Sequence, residues 1–212
     1  MMKGFANMSV KTNKRNATLN MVRIAMLTAV SLVLAQFDIP IIGYLKLDFS
    51  NVPVLLGAFA MGPLSGVSIL ALKNLIDGIL LSQSLGIGQF ADFAVVAGLI
   101  LPAALIYRSN RTFKSAIIGM VVGSVVMAID GALMNYFVLI PGYCGEIPFI
   151  LPMVPSRDVI INMFAKVVPA LDSIDKIVMW AVFPFNLVKA VAVSILTALL
   201  YKRVSPILKS KK

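Results

Sequence analysis

The sequence predicts an all-α, polytopic membrane protein with six transmembrane helices and both termini in the cytoplasm. Three observations lead there. First, 59% of the 212 residues are hydrophobic and only 13% are charged, against about 25% charged in soluble domains. A water-soluble fold of this size lacks the polar surface to cover so much apolar material. Second, the stretches 116–129 and 190–200 are continuous apolar runs. In lipid the backbone must bond to itself, in helices or a closed barrel, and barrel strands alternate apolar and polar residues over about 10 positions. Continuous runs therefore select helices. Third, the basic residues are segregated. Lys3, Lys11, Lys14, Arg15 and Arg23 precede or open the first apolar run, Arg108, Arg111 and Lys114 fill one interior gap, and Lys202, Arg203, Lys209, Lys211 and Lys212 close the chain, with no Asp or Glu in any of these segments. That is the positive-inside pattern. It explains the net charge of +10 without nucleic acid.

The elements follow in order. Residues 1–18 form a basic cytoplasmic segment, expected to be mobile. The first span covers 19–37. Its basic flank and the triplet Val33-Leu34-Ala35 resemble a cleavable signal, but the run is long enough to cross and the topology closes without removing it. An outer loop, 38–53, contains Asp38-Ile39-Pro40 and Gly43-Tyr44-Leu45-Lys46-Leu47-Asp48-Phe49-Ser50, with Ser50 the expected N-cap of the next helix. The second span, Asn51–Met61, is short, as half-helices and tilted buried segments are. Gly62-Pro63 makes an inner turn, and the third span covers 64–81. A Gly/Ser-rich outer loop at 82–89 leads to the fourth span, 90–107, and the basic inner loop. The fifth, 115–140, is long enough to tilt. The longest connection, 141–175, carries Pro141, Pro148, Pro152, Pro155 and Pro169, with a short helix expected near 157–168. The sixth span, 176–201, returns to a basic cytoplasmic tail, 204–212. The transmembrane unit, 19–203, reads as one domain.

Composition also removes chemistry. A single cysteine, Cys144, rules out an intramolecular disulfide and a cysteine metal site. The absence of histidine rules out histidine ligands, histidine bases and the usual Ser-His-Asp triad.

Ionisable groups at membrane depth cost at least ~2.5 kcal/mol each and mark function by default. Lys73 and Asp77, four apart on the third span, read as an ion pair or as ligand contacts. Asp130 lies near the middle of the fifth span and reads as a functional candidate or as a counter-charge for Lys189. Asn186 and Lys189, three apart, share a face, one turn after Pro184, which frees a backbone carbonyl. Asn135 sits beside Tyr136 and Phe137 and serves either as a ligand contact or as interhelical glue. Amide and ammonium groups between apolar helices, with aromatics nearby, describe a pocket for a largely apolar ligand with a polar edge. Ala25-Met26-Leu27-Thr28-Ala29 is a small-xxx-small pattern that permits close helix approach.

These residues resemble a known family. Leu45-Lys46-Leu47-Asp48-Phe49-Ser50-Asn51-Val52-Pro53, Gly62-Pro63 and Lys73-Asn74 resemble the substrate-binding S components of energy-coupling factor (ECF) transporters. Asn135-Tyr136-Phe137-Val138-Leu139-Ile140-Pro141 and Pro184-Phe185-Asn186-Leu187-Val188-Lys189 are similar to the riboflavin-specific members. The resemblance implies a multi-pass subunit of the bacterial plasma membrane that captures riboflavin as transported substrate, uses no cofactor, and performs no ATP hydrolysis itself. It implies partners: a transmembrane coupling subunit and two ATP-binding subunits, with Ala25 and Ala29 on the docking face and tilting of the loaded subunit as the transport step. It places the ligand against Leu45, Lys46, Leu47 and Asp48 of the outer loop, Asn135, Asn186 and Lys189; Phe90 joins them by position. An Asn amide offers both a donor and an acceptor to the edge of the isoalloxazine ring. The chain departs from the riboflavin pattern at Gln89 and Asp92, where Glu and Asn are frequent, and at Asp130. Flavin mononucleotide (FMN), pantothenate and thiamine therefore stay open as substrates, with Lys46 and Arg157 available to a phosphate. An integral-membrane enzyme is the remote alternative, because the nine acidic residues form no cluster of the kind phosphatidyl transferases or intramembrane proteases need.

Overall fold

The computed structural model describes residues 2–80, 86–147, 153–154 and 156–208, with side chains for 17–80, 86–147, 153–154, 156–201 and 203. Part of the expected loop at 82–89, and Pro148, Pro152 and Pro155, lie outside the described residues. Helix α1 runs Met2–Ala35, then a hairpin of β1 (Ile39–Ile42) and β2 (Leu45–Leu47), α2 (Asn51–Met61), α3 (Pro63–Leu80) and α4 (Ile87–Ser109). Helix α5 starts as Phe113–Met134 and continues through Asn135–Leu139 and Ile140–Tyr143; α6 is Arg157–Ala165. Helix α7 starts as Ile174–Ile177, passes through Val178–Val182 and ends as Phe183–Leu208.

The N-terminal segment departs from the expectation of a loose tail. Helix α1 begins at Met2, since no proline interrupts it before Ala35, although only Ala17–Ala35 is apolar enough to cross a membrane. Among the described residues, Pro63–Leu80, Ile87–Ser109, Phe113–Tyr143 and Ile174–Tyr201 also qualify. Helix α2 does not. Its 11 residues extend about 16 Å at 1.5 Å per residue, half of a hydrocarbon layer roughly 30 Å thick. Residues 51 to 59 are all buried, so α2 is a central strut.

That short strut sets the level of the cavity floor. Helices α2 and α3 meet at Gly62, whose φ of 108° suits glycine, and Pro63 opens α3, where its missing N–H is harmless. Ten residues beyond Pro63, about 15 Å along the axis, Lys73 stands level with the other end of α2. Its Nζ donates to Ser50 Oγ at 3.0 Å and Asn51 Oδ1 at 3.3 Å. Ser50 therefore does not cap α2. It has helical dihedrals and no side-chain cap bond, because its hydroxyl is turned to Lys73 and Asp48.

Contacts fix the sense of the bundle. Phe59, Tyr107 and Tyr201 pack their rings together and the two tyrosine hydroxyls are hydrogen-bonded. This joins one end of α2, α4 and α7, next to Arg108 and Arg203, the end for which the positive-inside rule sets the expectation of a cytoplasmic position. At the opposite end Ser31 of α1 donates to the Ser50 carbonyl. The main core lies around α2, where Val54 and Leu55 pack with Ile69, Leu70, Val96, Leu99, Ile100, Met127 and Val193. Helices α4 and α5 approach closely because Gly119 and Gly123 face the Ala103 and Leu99 carbonyls; a Cβ on Gly119 would stand 2.7 Å from the former. A second core, Leu45, Ile140, Ile160, Phe164, Ile177 and Val182, seats the hairpin and α6 on the outer end.

Cys144 follows Tyr143 at the end of α5, on the cavity side. Burial, then Glu146, push its thiol upward while Arg157 opposes them, which leaves little thiolate, the reactive form, at neutral pH. A membrane-impermeant maleimide is expected to label Cys144 in intact cells, slowly at pH 7 and faster at pH 9. Labelling only after the membrane is opened would reverse the orientation.

Candidate substrate-binding site

The end of the bundle opposite Arg108 and Arg203 holds a cavity of about 550 Å³, within the 300–1,000 Å³ typical of small-molecule sites. Its walls are mixed. Val95, Met127, Leu139, Ile160, Met163 and Phe185 supply apolar surface, and Tyr44, Asp48, Lys73, Asp77, Gln89, Asp92, Asn135, Asn186 and Lys189 supply polar groups.

Two charge pairs hold the floor. Lys189 Nζ lies 2.8 Å from Asp48 Oδ2, and Lys73 Nζ lies 2.9 Å from Asp92 Oδ2. Asp48 also accepts from the Ser50 N–H at 2.8 Å and from the Ser50 hydroxyl. Burial alone would raise the Asp48 carboxyl, but Lys189 and Lys73, with hydrogen bonds from Lys189 and Ser50, hold it well below the ordinary carboxylate range. Lys73 reaches three acceptors, Ser50, Asn51 and Asp92, which match its three N–H bonds.

Backbone irregularities shape the wall. Asn135–Leu139 and Val178–Val182 are π-helical turns: the Ile140 N–H bonds to the Asn135 carbonyl, and the Phe183 N–H to the Val178 carbonyl, five residues back. Pro141 and Pro184 follow these turns by two residues. Each lacks an N–H and crowds the carbonyl four residues back, at Phe137 and Trp180, so the preceding turn widens. The two wide turns touch. Beside them Asn135 Nδ2 donates to the Gly131 carbonyl at 2.7 Å, and Asn186 Nδ2 to the Val182 carbonyl at 2.9 Å. Asn135 Oδ1 accepts from the Tyr44 hydroxyl at 2.8 Å. Burial, aided by Tyr143 and Cys144, pushes the Tyr44 phenol upward, which keeps it a donor.

The hairpin that delivers Tyr44 follows from local chemistry. Gly43 has a φ of 58°, as two-residue hairpin loops require at a central position, and Ile42 pairs with Leu45. Tyr44 then packs edge-on against Tyr143 and Phe164.

Of the residues singled out from sequence, Leu45, Lys46, Asp48, Asn135, Asn186 and Lys189 line this cavity. Leu47, which pairs with Ile39 at the last position of β2, is not among the residues that line it. Phe90 is 61% exposed and faces outward, as do Tyr136 and Phe137. Ala25 and Ala29 lie on the exposed face of α1.

Three electrostatic expectations are corrected. Lys73 pairs with Asp92 rather than Asp77, because α4 brings a carboxylate to its level; Asp77, a turn further out, accepts from Gln89 Nε2 at 2.7 Å. Lys189 is neutralised by Asp48 rather than Asp130. Asp130 instead faces Gly98 on α4 and has no hydrogen-bond or ionic partner among the described residues. Lys46 and Arg157 are occupied, Lys46 by Asp38 at 2.8 Å and Arg157 by a two-pronged contact to Glu146 at 2.6 Å; a phosphate would have to displace carboxylates. Sequence reasoning passed over Tyr44, Phe185 and Gly131 as site residues and met Gln89 only as a departure from the riboflavin pattern. The Gly43-Tyr44 step between extended apolar residues was the available sign of Tyr44; nothing local marked Gly131.

Residues 19–201 match the family described as ECF transporter, substrate-specific component. The chain is 34% identical to the riboflavin transporter RibU of Staphylococcus aureus, over 98% of this chain and 99% of that protein. It is 26% identical to the riboflavin transporter FmnP of Bacillus subtilis, over 88% and 92%. A solved S component of a bacterial ECF transporter superposes with a TM-score of 0.65 at 33% identity, covering 90% of this chain and 98% of that one. A ThiT structure from Listeria monocytogenes, at 15% identity and a TM-score of 0.51 over 91% and 98%, shares the fold.

Lys189→Met leaves a largely buried Asp48 without its main counter-charge and is expected to lower stability by about 3 kcal/mol, read as thermal unfolding in detergent. Asp48→Asn combined with Lys189→Met is expected to recover most of that loss. Because the Asp48 pKa is depressed, its contribution is present above the unfolded value near ~4 and fades only as pH falls through the lower folded value. The wild-type chain should therefore keep this contribution from pH 7 down to about 5, whereas in Lys189→Met burial acts on the Asp48 carboxyl without its main counter-charge, so the deficit should be largest at neutral pH and should not grow as pH falls to about 5. A Lys189→Met protein as stable as the wild type at about pH 7 would contradict the ion pair.

Proposed function

Because the chain belongs to the family of substrate-specific components of ECF transporters, we propose that its outer cavity captures riboflavin for uptake across a bacterial membrane. It is a multi-pass transport component, not an enzyme. The observation that carries the substrate reading is the pair of amides on the cavity wall. Asn186 uses an N–H on Val182 and leaves its carbonyl oxygen to the cavity. Asn135 holds both Gly131 and Tyr44 and keeps a second N–H. The isoalloxazine ring has flat apolar faces and an edge on which an imide N–H lies between two carbonyls. Asn186 Oδ1 accepts from that N–H, while Asn135 and the remaining protons of Lys189 donate to the carbonyls. Met127, Leu139 and Phe185 cover the ring faces.

Neutral riboflavin suits this site better than FMN, because Lys46 and Arg157 are already engaged by Asp38 and Glu146. Delivery inward requires an ATP-driven module, with a transmembrane coupling subunit and two ATP-binding subunits; the exposed Ala25 and Ala29 allow a partner helix close to α1.

Titration of the purified chain is expected to quench riboflavin fluorescence with a Kd in the nanomolar to micromolar range, and thiamine and pantothenate are expected not to compete. Asn186→Ala is expected to weaken binding by about 10- to 100-fold, the value of one or two hydrogen bonds in a desolvated site. No quenching by the folded chain, or competition by thiamine, would reject the assignment.

A further inference from the structure

Gly131 lies buried inside α5, where glycine is disfavoured relative to alanine. Two contacts account for it there. Its carbonyl accepts from Asn135 Nδ2 at 2.7 Å. On the side facing α7, a Cβ at this position would stand 2.5 Å from Asn186 Nδ2, 2.6 Å from its Cγ and 3.1 Å from its Cβ. Those first two distances are closer than any real Cβ contact, so even a methyl group would drive the Asn186 amide out of place. Asn186 cannot yield without leaving the Val182 carbonyl of the π turn, and the Asn135 anchor is on the same glycine. One residue thus holds both amides of the cavity wall: one through its carbonyl, the other through the space it leaves empty.

We propose that Gly131 is a positioning residue that sets ligand specificity, holding the Asn186 carbonyl where it demands an N–H on the ligand edge. This rests on the riboflavin reading for the ligand, and on the α5–α7 packing alone for the coupling between the two residues. Riboflavin meets the demand through its imide N–H. The analogue methylated at that nitrogen, 3-methylriboflavin, has the same ring and side chain and no proton there.

The test combines Gly131→Ala with Asn186→Ala. The wild-type chain is expected to bind riboflavin at least about tenfold more tightly than 3-methylriboflavin, the scale of one buried hydrogen bond. Gly131→Ala is expected to weaken riboflavin about tenfold and to bring the two ligands within about threefold of each other. Gly119→Ala, which presses a methyl on the Ala103 carbonyl of α4, is the packing control. It is expected to lower Tm and leave the ratio of the two ligands unchanged. Ligand-free Tm provides a readout that needs no flavin. Gly131→Ala lowers it, and adding Asn186→Ala restores most of the loss, since the amide in the way is gone. Unaltered discrimination in a folded Gly131→Ala protein, or Tm losses that simply add in the double variant, would overturn the proposal. Failure of the wild type to bind any flavin would strike the riboflavin reading instead, and the Tm cycle would still decide whether Gly131 positions Asn186.

Discussion

An ammonium from α7 and a carboxylate from the loop ahead of α2 meet 2.8 Å apart, inside a bundle where neither charge would be tolerated alone. The Lys189–Asp48 contact joins segments 141 residues apart in sequence, and other groups are arranged around it. Asp48 orients Ser50 through its backbone N–H and hydroxyl. Ser50 accepts from Lys73 and its carbonyl takes the Ser31 hydroxyl of α1. Lys73 then collects Asn51 and Asp92. Helices α1, α2, α3, α4 and α7 are thus tied to one polar layer. An apolar ligand can lie above that layer because its charges are already matched.

The depth of the layer is a matter of length. A strut of 11 residues ends halfway along its neighbours, and the space above it, bounded by longer helices, is the cavity. The hairpin and α6 cover that space with their own small core around Phe164. The π turns before Pro141 and Pro184 rotate the side chains at their edges out of ordinary helical register. Two asparagines that would otherwise bond across a bundle thereby come to line a cavity wall.

Much of this was legible in the sequence because it depends on composition and on single-residue rules. Apolar runs gave the helices, and the brevity of 51–61 hinted at the buried strut. Lys189, Asn186 and Asn135 stood out because polar groups in apolar helices are costly. What stayed hidden is pairing across helices. The spacing of Lys73 and Asp77 suggested a pair, yet a carboxylate from α4 arrives at the level of Lys73 instead. Nothing in a one-dimensional pattern tells Asp48 from Asp130 as the partner of Lys189, because that choice depends on which loop folds inward. Leu47 and Phe90 were misplaced for a simpler reason, as position along the chain alone does not say which side chains of a loop or of a helix's first turn face a cavity.

The most direct test of the account is a structure of the protein with riboflavin bound. The isoalloxazine edge is expected within hydrogen-bond range, about 2.7–3.2 Å, of the Asn135 and Asn186 amides, with Lys189 still paired to Asp48 beneath it. A ring bound elsewhere, such as the apolar groove beside Trp180 and Val168, or an occupied cavity in which Asn186 faces away from the ligand, would contradict it.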